Sequence, residues 1–170
     1  MKEHARVVII GGGMMGCGLL YHLAQEGWTD SLLIEKGELT SGSTWHAAGQ
    51  CPSFIADYNM AKIHHYGNTL YPKLEAMTGQ YVSWHGCGGL RFATNRAEMD
   101  YFKEVEGTAK LIGFRMQVIG PDEIKAINPH VDTTGVLAAA GTADGGRLRP
   151  PGGRTRPAKR ARRRGARSGR

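Results

Sequence analysis

An α/β fold that opens on strand, helix and strand is predicted by three features of the sequence. Val7-Val8-Ile9-Ile10, within the run from Ala5, is a short β-branched stretch closed at once by Gly11, Gly12 and Gly13, the pattern of a buried parallel strand. Met15, Leu19 and Leu23 then recur every fourth residue, with Leu20 and Ala24 beside them, as an apolar helical stripe that Gly27 stops. Ser31 to Glu35 (Ser-Leu-Leu-Ile-Glu) reads as a second buried strand. The three fit within about thirty residues and form one βαβ unit, whose crossover is right-handed in nearly all proteins.

The elements that follow are read in order. Gly37 to Pro52 is rich in Gly, Ser, Thr and Ala without a sustained period, and is a loop. Ile55 to Met77 reads as a long helix on Tyr58, Ala61, Ile63, Tyr66, Leu70, Leu74 and Met77, with Pro72 placed to kink or divide it. Gly88 to Thr94 is a strand entered through glycines. Arg96 to Ile112 is a helix with Met99, Phe102, Val105, Ala109 and Ile112 on one side. Met116 to Ile119 is a short strand, Pro121 to Ile127 a short helix with Pro at its start, and Val136 to Ala140 a last strand. At Gly146 the pattern stops.

Charge divides the 170 residues in two. The whole carries +7, but residues 147–170 alone hold ten Arg, one Lys and no acid, a net of +11, which leaves the preceding body at −4. A mildly acidic body argues against a nucleic-acid-binding domain. No apolar run reaches the roughly 18 residues of a membrane span, and nothing at the start reads as a secretory or transit leader. Cys17, Cys51 and Cys87 have neither paired nor metal-ligand spacing, so they are expected as reduced, mostly buried thiols in a cytoplasmic protein. No metal is expected.

Gly11-Gly12-Gly13-Met14-Met15-Gly16 satisfies G-x-G-x-x-G between the first strand and its helix. Gly11 permits the tight turn, Gly13 lets backbone approach a pyrophosphate, and Gly16 lets helix and strand pack closely. The helix N-terminus, which begins at Met14 and Met15, adds free N–H groups and partial positive charge. Glu35 follows Gly16 by 19 residues, where an acid takes a ribose hydroxyl. The unit is therefore a Rossmann-like dinucleotide-binding unit, and an acid at this point favours FAD or NAD over NADP.

The loop Leu39-Thr40-Ser41-Gly42-Ser43-Thr44-Trp45-His46-Ala47-Ala48-Gly49 offers backbone and hydroxyl donors. With Ile-Ile-Gly-Gly-Gly at 9–13, Leu-Ile-Glu-Lys-Gly at 33–37, Ala-Lys-Ile-His-His-Tyr at 61–66, Gly89 to Thr94 and Pro121 to Ile124, it resembles the dimethylglycine dehydrogenase and sarcosine dehydrogenase family. Those enzymes are FAD-dependent amine oxidoreductases of the D-amino-acid-oxidase-like superfamily. The resemblance runs from about Arg6 to Gly145. It implies FAD bonded covalently through His46, Glu35 and Lys36 beside the adenosine ribose, and Gly42, Ser43, Thr44, Trp45, Ala47, Ala48 and Gly49 around the ribityl chain and pyrophosphate. The implied reaction is oxidative demethylation of a small N-methyl amino acid such as dimethylglycine or sarcosine. It assigns no catalytic residue within this chain. A NAD-dependent Rossmann enzyme and an inactive fragment with a nucleic-acid-binding tail are the competing readings.

Three other places invite a role and are read blandly. His64 and His65 are ordinary helix residues, Trp84-His85-Gly86-Cys87 lacks a second ligand pair for a metal, and Arg91 is a surface strand residue. Where the family continues Asp-Gly-His-Val/Ile-Asp-Pro, this chain has Asp144-Gly145-Gly146-Arg147-Leu148-Arg149-Pro150 and does not return to pattern. Twenty of the last 24 residues are Arg, Pro, Gly or Ala, the composition of GC-rich codons read out of frame. The expected organisation is thus residues 1–146 as the N-terminal part of an FAD-dependent oxidoreductase domain, truncated, and 147–170 as a disordered Arg-rich tail, a frameshift product.

Overall fold

The computed structural model describes residues 4–148 and 167–169. In chain order the strands are β1 (Val7–Ile10), β2 (Ser31–Ile34), β3 (Gln50–Cys51), β4 (Trp84–His85), β5 (Gly89–Ala93), β6 (Met116–Ile119), β7 (Ala138–Thr142), β8 (Gly146–Leu148) and β9 (Arg167–Gly169). The helices are α1 (Met14–Gln25), α2 (Tyr58–Thr78), α3 (Arg96–Ile112) and α4 (Pro121–Ile127), with a 3-10 turn at Ser43–His46. Among the described residues the sheets are β1-β2-β9, β3-β8-β4 and β5-β7-β6. The chain forms two compact units, one from Met1–Gly49, Lys73–Ser83 and Leu148–Arg170, the other from Gln50–Pro72 and Trp84–Arg147.

The first unit holds the predicted βαβ crossover. β1 and β2 pair in parallel, Val7 with Ser31 through Ile10 with Ile34, and β9 adds a third parallel strand beside β2. Helix α1 packs on this sheet. Ile9 and Leu33 are buried on one sheet face and Cys17, Leu20, Tyr21 and Ala24 on the helix; each fully buried leucine stabilises the unit by about 1.5–3 kcal/mol. Two expectations need correction here. The strands are buried on one face only, since Val8, Ile10 and Ile34 on the other are 49%, 87% and 41% exposed. The predicted helical stripe is also rotated, for Met15 and Leu19 are exposed. The buried side continues instead from Gly13 and Gly16 through Cys17, Leu20, Tyr21 and Ala24, the three-and-four spacing of one helix face.

Gly16 explains that rotation. A Cβ there would lie 1.9 Å from the Gly11 carbonyl oxygen and 3.4 Å from Ile9 Cγ2, so only glycine lets α1 sit this close to β1. Gly11 makes the preceding turn at φ +105°.

In the second unit β7 is the centre of an antiparallel sheet, with Ala93 opposite Ala138 and Ile119 opposite Ala139. Phe54, Ala61, Ala93, Phe102, Val105, Ala109, Phe114 and Ala140 form one core, and Ile119, Ile124 and Ala139 another. Helices α3 and α4 and strand β6 have the predicted bounds. The Asn95 side chain caps α3 by accepting from the Glu98 amide, and Gly113 ends it at φ +93°. Helix α2 starts at Tyr58 rather than Ile55 because Asp57 Oδ1 accepts the Met60 amide at 2.8 Å, and it runs on through Pro72. Its buried apolar residues are Ala61 and Leu74, whereas Tyr58, Ile63 and Tyr66 are exposed. The last predicted strand lies two residues later, as β7.

Strand pairing also continues past Gly146. Gly146 and Arg147 pair with Cys51 and Gln50, and the Leu148 amide donates to the Gly49 carbonyl at 2.7 Å. A Cβ on Gly146 would meet the His85 carbonyl oxygen at 2.3 Å, so the glycine that departs from the expected pattern is the one this close strand requires. Within the tail that begins at residue 147, Arg147–Leu148 lie in β8 and Arg167–Gly169 form β9. The rest of that tail lies outside the described residues.

The crowding at Gly16 sets up a paired comparison. Gly16→Ala is expected to destabilise the chain by about 1–3 kcal/mol through overpacking. Gly18→Ala, where nothing lies within 4 Å of an added Cβ, is expected to stabilise it by about 0.5–1 kcal/mol. Urea unfolding midpoints of the two variants measure both.

Candidate functional site

The site grows out of the β1–β2 register. With Ile10 opposite Ile34, the residues that follow meet: the Gly11 amide donates to the Ile34 carbonyl at 2.8 Å, and the Gly12 amide to Glu35 Oε2 at 2.6 Å. Glu35 Oε1 accepts the Gly37 amide at 2.9 Å. The Gly12 carbonyl accepts the Thr40 amide at 2.9 Å and the Cys17 thiol at 3.4 Å. Thus one buried residue, Gly12, ties β1, β2, α1 and the following loop together. A Cβ on it would lie 2.5 Å from Leu39 Cδ2 and 3.0 Å from Glu35 Cβ. Thr40 holds φ +72°, unusual for a β-branched residue, and is buried; such a conformation costs about 1–3 kcal/mol and persists because its surroundings fix it.

At the start of α1, Gly13 gives no side-chain cap and the first turn has no acid. The Met14 amide donates to Thr44 Oγ1 at 3.0 Å. The other first-turn amides have no acceptor within their helix, and with the helix dipole they form an electropositive cradle suited to a phosphate. The Gly37 amide, then the Gly12 amide, hold the Glu35 carboxyl below its ordinary value against a smaller opposing effect of burial.

His46 ends the 3-10 turn. Its Nδ1 lies 3.1 Å from the Gly42 carbonyl oxygen. That oxygen can only accept, so in the neutral ring Nδ1 carries the proton and Nε2 keeps the lone pair. The Gly42 oxygen also takes the Trp45 amide at 2.9 Å, which makes the turn a compact piece.

The structure thus brings together Gly11, Gly13, Met14, Gly16, Glu35 and Thr44 of the predicted set. Met15, Lys36, Gly42, Ser43, Trp45, His46, Ala47 and Ala48 stand exposed around them, and Gly49 accepts from Leu148. Gly12, Leu39 and Thr40 were not singled out as site residues. The third consecutive glycine was the available sign of Gly12; Thr40, at φ +72° with its amide on the Gly12 carbonyl, left none.

The other places singled out in the sequence have partners or packing, except that the buried Nδ1 of His65 has no hydrogen-bond partner among the described residues. His64 Nδ1 lies 3.0 Å from the Pro52 carbonyl, the His65 ring lies against Phe114, and the Arg91 guanidinium sits 5.0 Å from the Phe54 ring centre. Among the described residues no three His, Cys, Asp or Glu side chains cluster as a metal site. The cysteines are thiols, one buried, one half-buried and one exposed, rather than mostly buried. Burial pushes the Cys51 thiol up to about 11. None of the described helices is long and apolar enough to cross a membrane.

A strand, a glycine turn, a helix N-terminus and an acid at the end of the adjacent strand are the parts from which dinucleotide-binding βαβ units are built. The family of FAD-dependent oxidoreductases matches residues 6–168, and the chain belongs to it. It is 41% identical over 149 residues to human mitochondrial dimethylglycine dehydrogenase, covering 88% of this chain and 17% of that protein. It is 35% identical over 167 residues to human mitochondrial sarcosine dehydrogenase, covering 98% of this chain and 18% of that protein. The chain therefore spans less than a fifth of these relatives' length. The crystal structure of L-proline dehydrogenase from P. horikoshii superposes with a TM-score of 0.88 at 26% identity, over 99% of this chain and 44% of that one.

A depressed carboxyl value in the folded state means that Glu35 stabilises the fold fully above its ordinary value of 4.5, and that this contribution is lost as pH falls through the lower folded value. Urea unfolding followed from about pH 6 to about pH 3 should show a steeper acid loss in the native chain than in Glu35→Gln. Identical slopes would remove Glu35 as the anchor of the glycine loop.

Proposed function

We propose that this chain forms the FAD-holding part of an amine oxidoreductase that demethylates a small N-methyl amino acid, with dimethylglycine and sarcosine as the substrates to test first. The observation that carries this reading is the cradle at Gly11–Gly16. Backbone leaves no room for a Cβ at Gly16, and a Cβ at Gly12 would press on the Leu39 and Glu35 side chains. The helix start carries no acid, and the Gly37 and Gly12 amides hold the Glu35 carboxyl beside it below its ordinary value. These residues fit the ADP half of FAD. First-turn amides of α1 would bind the pyrophosphate, while Glu35 has further lone pairs for ribose hydroxyls. His46, with Nε2 bare and the ring exposed, is the proposed covalent tether.

Bound FAD would supply the two-electron oxidation of a C–H bond beside the substrate nitrogen. The chain contributes binding and orientation, and none of its described residues is assigned a catalytic role. The substrate class is proposed from family membership and from the relatives named dimethylglycine and sarcosine dehydrogenase. The three thiols fit a reducing compartment such as the cytoplasm expected from the sequence; the two human relatives are named as mitochondrial.

Purification from flavin-replete cells tests the cofactor. The 170-residue chain should carry flavin absorbance that survives acid precipitation. His46→Ala should retain only flavin that acid releases. A chain that takes up nicotinamide dinucleotide and no flavin would overturn the proposal.

A further inference from the structure

We infer that Thr44 is a positioning residue: it couples the phosphate cradle to the His46 turn, and so decides whether a bound flavin becomes tethered. This rests on the FAD reading above and adds to it a residue that does the aligning.

The N-cap of helix α1 is Gly13, a position where the usual Ser, Thr, Asp or Asn would cap the first amides with its own side chain. Gly13 has no such side chain, and a Cβ there would already lie 3.0 Å from Thr44 Oγ1. The cap arrives instead from thirty residues on, as Thr44 Oγ1 accepts the Met14 amide at 3.0 Å. Thr44 is half-buried, while Ser43, Trp45 and His46 around it are exposed. It is therefore the residue by which this turn grips the helix start.

Two bonds to the Gly42 carbonyl, from the Trp45 amide and His46 Nδ1, make the turn move as one piece. The carbonyl of Thr44 accepts the Ala47 amide at 3.3 Å, which extends that piece past His46. Holding Thr44 thus holds His46 relative to the cradle. A hydroxyl that accepts one bond still has its own proton to donate, and among the described residues that proton has no acceptor. A phosphate oxygen at the helix start would supply one, so anion binding would tighten the same latch that aligns the imidazole.

Thr44→Val keeps the shape and removes the bond from the Met14 amide together with the free hydroxyl proton, whereas Thr44→Ser keeps the oxygen. Without flavin, amide exchange at Met14 should rise about tenfold in Thr44→Val, the scale of one capping bond, and return in Thr44→Ser. With FAD added, Thr44→Val should lose the acid-retained share of its flavin more severely than it loses total flavin, and Thr44→Ser should recover both. Unchanged Met14 exchange in Thr44→Val, or an unchanged acid-retained share, would overturn the inference. A native chain that retains no flavin sinks the FAD reading instead, and Thr44 as a latch then stands or falls on Met14 exchange alone.

Discussion

The parallel register of Ile10 with Ile34 is the constraint on which the site depends. It places Gly11 and Glu35 at the same level, so the Gly12 amide reaches the Glu35 carboxylate and the Gly12 carbonyl reaches the Thr40 amide. A one-residue slip would turn every side chain of β2 to the opposite face. It would bury Ile34 in place of Leu33 and carry Glu35 away from the loop. The register is specified by apolar burial against α1, and the chemistry at the strand ends follows from it.

The cradle is stiff for a related reason. Close approach to backbone excludes a side chain at Gly16, and the Leu39 and Glu35 side chains crowd the space at Gly12, which leaves backbone groups to do the bonding. Glycine is costly in the unfolded state because it has more freedom to lose. Glu35, Thr40 and Thr44 offset that cost by fixing the loop from three directions. Val8, Ile10 and Ile34 remain on the open face of a parallel sheet, although such sheets commonly bury both faces. That face is the largest departure of the first unit from ordinary parallel-sheet packing.

Much of this was legible in the residues. Arg96 to Ile112 carries a clean helical period with Asn95 before it and Gly113 after it, so its bounds emerged intact. The βαβ opening was legible because three glycines interrupt two apolar runs. The stripe of α1 was misread since leucines at every fourth position outweighed Gly13 and Gly16, the residues that mark the facing side. Two-residue strands such as β3 and β4 are too short to show a period. β8 escaped notice because Gly146 and Arg147 look like loop, whereas their pairing with β3 is set by backbone alone. At the site, the motif located Gly11, Gly13, Gly16 and Glu35. Thr44 stands out only as part of a string, and Thr40 has no local signature, because no sequence pattern announces a threonine at positive φ.

The central claim is that the glycine turn, the start of α1 and Glu35 form one ADP-binding surface. Titration of the chain with ADP, followed by amide NMR, tests it most directly. The account predicts that the largest shifts fall on the amides of Gly11 to Gly16, Glu35 and Thr44, with the β5-β7-β6 sheet unmoved. Saturable binding that shifts that sheet and leaves the glycine turn untouched would contradict it.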